Sequence, residues 1–170
     1  SDKYLLFFDA TVKKTAHMVS AWQSVGFNHG VMNTDNMSIL GETFDYGPYA
    51  FMETYDPNYI CNHTDSHGRY SFSNQPSIAE WNCYALASAL IDLFSETELR
   101  DILNKFNDYF NIRIYSSLFE LTIYIVVGLF IGLQKTKISS LAIGLLSILN
   151  ILFSTILVLK FNLNIKGVAY

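Results

Sequence analysis

Residues 138–159 form a run of 22 residues without a charged side chain. Residues 121–133 form a second uncharged run, with Glu120 before it and Gln134-Lys-Thr-Lys137 after it. Such stretches fold only where their apolar surface is covered, by lipid or by protein. A helix of 22 residues is about 33 Å long, against roughly 30 Å of bilayer hydrocarbon. The run 138–159 is therefore long enough to span a membrane, the run 121–133 is a weaker candidate, and the two together predict an apolar helical hairpin over residues 121–159. A hairpin returns the chain to the side it left. Lys135 and Lys137 favour a cytoplasmic loop, whereas Arg113, Lys160 and Lys166 favour the reverse. Three origins fit the pattern: a membrane anchor, the frameshifted end of a decaying gene, and a soluble helical pair buried against a lobe or partner.

The rest of the chain has a different character. Residues 1–113 carry 14 acidic and 7 basic side chains, whereas residues 114–170 carry Glu120 and four lysines. Two regions are expected, 1–113 and 114–170. With 51% apolar residues the chain is not a disordered tail. A net charge of −4 argues against a basic grip on nucleic acid. Cys61 and Cys83 fit no zinc spacing and no disulfide scaffold, so both read as thiols of a reducing, cytoplasmic compartment. No secretory leader pattern opens the sequence.

Within residues 1–113 the periodicity is mainly helical. Phe8, Val12, Ala16, Val19 and Trp22 predict one buried face of a helix over residues 4–24, stopped by Gly26. Ile39-Leu40 and Thr43-Phe44 around Gly41 predict a small β-hairpin inside a Gly/Asn/Asp-rich loop. Residues 49–76 predict a long aromatic loop. Ser77-Ile-Ala-Glu80 predicts a capping box opening a helix to about Phe94, with Ile78, Trp81, Ala85, Leu86, Ala89 and Leu93 inward. Ser95-Glu-Thr-Glu98 predicts another, with Leu99, Ile102, Leu103, Phe106 and Phe110 on one side.

The chemistry-bearing stretch is His29-Gly-Val-Met-Asn-Thr-Asp-Asn36, followed by Asp45-Tyr-Gly47. It is similar to the kinase pattern H-R-D-x-x-x-x-N and D-F-G. Asn36 falls on the kinase Asn, and Asp45 on the Asp of D-F-G. An Asn amide oxygen and an Asp carboxylate suit magnesium, which takes hard oxygen ligands and leaves further positions to phosphates and water. The kinase catalytic Asp is replaced by Val31, which cannot take a proton. Asp35 is the nearest carboxylate that can act as base.

Residues 21–90 closely resemble the SelO (YdiU) family. The resemblance rests on Trp22-Gln-Ser-Val-Gly-Phe27, the run from His29 to Leu40, Asp45-Tyr-Gly-Pro48, Ile60-Cys-Asn-His-Thr-Asp65, Gly68-Arg-Tyr70, Asn74-Gln-Pro76 and Trp81-Asn82. It implies a pseudokinase that transfers AMP from ATP to Ser, Thr or Tyr hydroxyls of protein substrates. Asp35 would be the general base, and Asn36 and Asp45 would hold magnesium, with Asp45 also at the nucleotide phosphates. The implied fold is mainly α: a kinase-like C-lobe fragment with a small β-hairpin, followed by the two long apolar helices. Such a site also needs an N-lobe with a Gly-rich cover and a strand lysine. These 170 residues carry neither; Lys3, Lys13 and Lys14 lie on the first predicted helix. The chain alone is thus expected to keep the metal-binding half of the site with little transfer. The alternative is an inactive remnant, or a membrane-attached module that holds nucleotide without turnover.

Plainer readings stand beside these. Asp35, Asn36 and Asp45 are also ordinary turn formers, and His29 can simply bond the loop backbone. Cys61, His63, Asp65 and His67 alternate and would share one face if extended, as a metal cluster does, but they equally form a polar loop. Arg69 can meet a phosphate or a structural carboxylate.

Overall fold

A computed structural model describes residues 2–135, 137–138, 140–145 and 147–148. The chain divides into two compact units, residues 1–118 and 119–170.

The first unit is built on α1 (Asp2–Ser24). Its predicted stripe is its buried face: Phe8, Val12, Ala16 and Val19 are sealed and Trp22 nearly so. Thr11 and Thr15 are buried beside it and return their hydroxyls to the carbonyls of Phe7 and Thr11, each at 2.9 Å, which removes the cost of burying a hydroxyl. Two short strands follow, β1 (Phe27–Asn28) and β2 (Ala50–Phe51), paired antiparallel with Phe27 opposite Phe51. Then come α2 (Gln75–Ala89), α3 (Glu96–Leu103) and α4 (Phe106–Gly132). α1 packs against α2 and α3, and their common core takes in Ala79, Cys83, Leu99, Ile102, Leu103 and Phe106. At one edge Asp9 of α1 accepts from Lys105 Nζ at 3.1 Å and from the Tyr109 hydroxyl at 3.2 Å. Burial, and then the Asp9 charge, push the Tyr109 phenol up to about 12.

Four expectations are corrected. The hairpin does not form around Gly41: residues 39–40 are a turn, and the sheet joins the two ends of the loop that Gly41 sits in. Gly41 (φ +69°) serves close approach to α1, since a Cβ there would lie 2.8 Å from Lys14 Cβ and 2.9 Å from its carbonyl oxygen. The Ser77–Glu80 box does not open α2. The helix begins at Gln75 with Pro76 in its first turn, where the missing N–H is harmless, so Ser77 is already helical. α2 also ends at Ala89 rather than near Phe94, and it buries Gln75, Ala79, Asn82, Cys83 and Ala87 while Trp81 is half exposed. The Ser95–Glu98 box is present as predicted: the Ser95 hydroxyl accepts from Glu98 N, and the Glu98 carboxylate accepts from Ser95 N.

The first apolar run is not a separate helix but the C-terminal part of α4, and residue 113 falls within that helix. Within the second unit, Phe119, Tyr124, Ile125, Leu129, Ile131 and Leu133 are exposed, as are Leu141, Ile143 and Leu145 in the helical residues 140–145. The stretch Glu96–Gly132 contains a window long and apolar enough to cross a membrane, of which 6% is buried. Most of the second predicted run, from residue 149 onward, lies outside the described residues.

Candidate active site

The candidate residues lie on the loop between β1 and β2. β1 delivers Asn28 and His29 into the interior, both fully buried. The Asn28 amide donates to the carbonyls of Tyr59 (3.4 Å) and Tyr70 (3.2 Å), and its oxygen accepts from Cys61 Sγ at 2.8 Å. The loop of residues 59–70 is thereby tied to β1. The chain then bends at Gly30 (φ +81°), where a Cβ would lie 2.6 Å from Cys61 Sγ and 3.0 Å from Pro48 Cγ. No side chain fits there.

Asp35 and Asn36 stand on a single 3₁₀ turn, Thr34–Asn36. The Asn36 amide nitrogen donates to the Val31 carbonyl at 3.1 Å. That bond settles which end of the carboxamide faces inward and leaves Oδ1 as the outward end. Asn33 holds the start of the turn by accepting from the Tyr70 hydroxyl. Asp35 is exposed.

His29 couples this stretch to Asp45. Its Nε2 lies 3.0 Å from the Phe44 carbonyl, and its Nδ1 lies 3.4 Å from Val31 N. A carbonyl only accepts and a backbone N–H only donates, so Nε2 carries the proton and Nδ1 is bare. Burial holds the imidazole below its ordinary pKa of 6.5, against the opposing pull of the Phe44 carbonyl and Asp45. Asp45, the next residue, has φ +53°, a left-handed backbone that costs a non-glycine residue free energy and is concentrated at functional sites. Trp22 Nε1, donating to Thr43 Oγ1 at 2.8 Å, fixes the same loop to α1.

The structure thus brings the Asp35–Asn36 turn and the Asp45 loop under one anchor, His29. Among the described residues no hydrogen bond or ion pair joins the three side chains to one another. The donor set fits magnesium: two hard oxygens, one neutral and one anionic, with the remaining octahedral positions open to phosphates and water. No group of three His, Cys, Asp or Glu side chains gathers among the described residues, so such an ion would rely on the nucleotide for its other ligands.

The alternating Cys61, His63, Asp65 and His67 do not form a metal cluster. Asp65 instead accepts from the backbone of Arg69 (2.9 Å) and Tyr70 (2.7 Å), closing a turn, while Cys61 faces Asn28. Arg69 lies over the rings of Trp81 (5.1 Å) and Tyr70 (5.7 Å). The sequence analysis counts Gln75 and Asn82 among the residues of the resemblance but gives them no role; both are buried carboxamides of α2 turned into the loop between β1 and β2. Their spacing of seven on one helix was the available signal, hidden because polar positions are ordinarily assigned to the solvent face.

Comparison with known proteins gives the family. The family model described as Protein adenylyltransferase SelO matches residues 1–154. The "Protein nucleotidyltransferase YdiU" of Vibrio cholerae serotype O1 is 54% identical over 113 residues, covering 66% of this chain and 23% of that protein. The protein of the same name from Erwinia tasmaniensis is 61% identical over 102 residues, covering 60% and 21%. That from Hahella chejuensis is 51% identical over 115 residues, covering 68% and 23%. The chain spans less than a quarter of the length of these curated relatives.

Proposed function

The chain belongs to the SelO family of protein adenylyltransferases, and on that premise we propose that it carries the base- and metal-bearing part of an enzyme that moves AMP from ATP to protein hydroxyls. A Ser, Thr or Tyr oxygen attacks the α-phosphorus. The bond from that phosphorus to the bridging oxygen breaks, and pyrophosphate leaves. Asp35 takes the proton of the attacking hydroxyl. Asn36 Oδ1 and the Asp45 carboxylate hold magnesium, which offsets the phosphate charge when bound. The surrounding lobe is read as a kinase-like C-lobe, with the catalytic loop between α1 and α2.

The observation that carries this reading is the inward-turned Asn36 amide beside Asp35, linked through Val31 and His29 to the strained Asp45 loop. The nucleotide cover and its lysine would come from family sequence that these residues do not match. The reaction is placed in the cytoplasm, where ATP is available and the unpaired Cys61 and Cys83 remain thiols.

Calorimetry with Mg-ATP and transfer assays with labelled ATP test it. The chain is expected to bind Mg-ATP weakly, to lose that binding in Asp45→Ala, and to transfer little label by itself. Binding that ignores Asp45→Ala overturns the reading. Transfer from the γ position would make the protein a kinase in spite of Val31.

For residues 119–154, the extent of the family match supports a segment that belongs to the family's own domain and has its apolar surface covered by protein. The exposure of the α4 side chains favours a second reading, a membrane-associated segment.

A further inference from the structure

We infer that Gln75 and Asn82 are positioning residues, two carboxamides of α2 that hold the metal-bearing loop in its working shape. The inference rests on the reading of Asn36 and Asp45 as metal holders. Gln75 is 0% exposed. Its Oε1 accepts from His29 N and its Nε2 donates to the Phe27 carbonyl, each at 2.9 Å. Asn82 is 7% exposed, and its Nδ2 donates to the Met32 carbonyl at 3.0 Å. The two residues lie seven positions apart, two helical turns or about 10 Å, on one side of the helix. They grip the loop on either side of the Gly30 bend.

What lies between the two grips is the Val31 peptide region. Val31 N–H is taken by His29 Nδ1, and the Val31 carbonyl by the Asn36 amide. Fixing residues 27–29 and 32 therefore fixes the orientation of Val31, and Val31 aims Asn36 Oδ1. The same grip on His29 carries through its Nε2 to Phe44, next to Asp45. One helix face thus sets both proposed metal ligands without touching either.

Asn82 supplies a further argument. Its Oδ1 is buried with no hydrogen-bond partner among the described residues. Burying an unpaired acceptor is unfavourable, a cost an apolar side chain of similar size would not carry. The other end of the amide offsets it by holding the Met32 carbonyl. Partners that orient metal ligands typically change metal affinity about 10- to 100-fold when removed.

Manganese, a paramagnetic stand-in for magnesium, would be titrated into the 170-residue chain. Line broadening of the Asp35, Asn36 and Asp45 backbone amides would be followed, with the fold monitored by circular dichroism. Gln75→Leu and Asn82→Ser should each raise the manganese concentration for half-broadening by about 10-fold or more with helix content kept. Asn82→Ser loses one long-range bond and introduces no clash, so it decides the matter if Gln75→Leu does not fold. Ile102→Val, in the core on α3, should leave the midpoint unchanged. Unchanged midpoints in the α2 variants, or an equal rise in Ile102→Val, overturn the inference while leaving the metal site standing. A wild-type chain that shows no broadening overturns the metal site itself, and this inference with it.

Discussion

Two imidazoles set how the first unit responds to acid. His29 and His17 are both held below the ordinary 6.5, His29 by burial, and His17 by burial and then by Lys13 and Arg113. Between the folded-state value and 6.5 the unfolded chain binds more protons than the folded one. Stability is therefore whole above about 6.5 and declines as pH falls toward the folded-state values. The melting temperature is expected to be level from pH 8 to 7 and to drop below about 6.5; a rise on acidification would contradict the neutral, buried His29. Cys83 is a third buried titratable group, its thiol pushed up to about 12 mainly by burial. At this scale Asp35, Asn36 and Asp45 could be singled out in the sequence as hard oxygen donors, and the structure puts them on two loops that His29 ties together. Gln75 and Asn82 could not be singled out in this way, because a carboxamide on a helix looks the same in sequence whether it faces water or a backbone carbonyl.

Periodicity served the elements unequally. The α1 stripe was readable because its five positions are apolar and correctly spaced, and every one is buried. The Ser95–Glu98 box was readable because both halves of a capping box lie within four residues of sequence. Ser95→Ala is expected to cost about 1 kcal/mol of stability in urea denaturation, by leaving first-turn N–H groups of α3 without a partner; a midpoint identical to wild type would show that the box does not hold the helix end. On α2 the same method misled. Its inward face is made of Ala79, Cys83 and Ala87 with two amides, while the larger Trp81 lies outside under Arg69. Small residues are required where α2 packs on α1, and size-weighted periodicity points away from them. The hairpin failed for a related reason: Gly41 is needed for contact with Lys14 of α1, which no local pattern records.

For the whole molecule, the two units make different demands. The first has its own core, drawn from all four helices and the residues around β1. Residues 1–118 made alone are expected to stay soluble and to unfold cooperatively, as a unit with its own core does. The full chain, by contrast, is expected to need detergent or a covering partner for the apolar side chains of α4 and residues 140–145. Carbonate extraction from cells separates the coverings: release to the supernatant favours burial by protein, retention in the pellet favours lipid. A 1–118 fragment that fails to unfold cooperatively would show that the first unit is not independent. Alone, the sequence determined the helical class, the α1 face, the α3 cap, the family and the oxygen donors, since each is written in residues close together along the chain. Tertiary structure alone decided which strands pair, which face α2 buries, and how two of its amides reach the catalytic loop. Those choices depend on contacts between residues 22 to 50 positions apart, and such contacts are selected by packing and backbone satisfaction rather than by any local pattern.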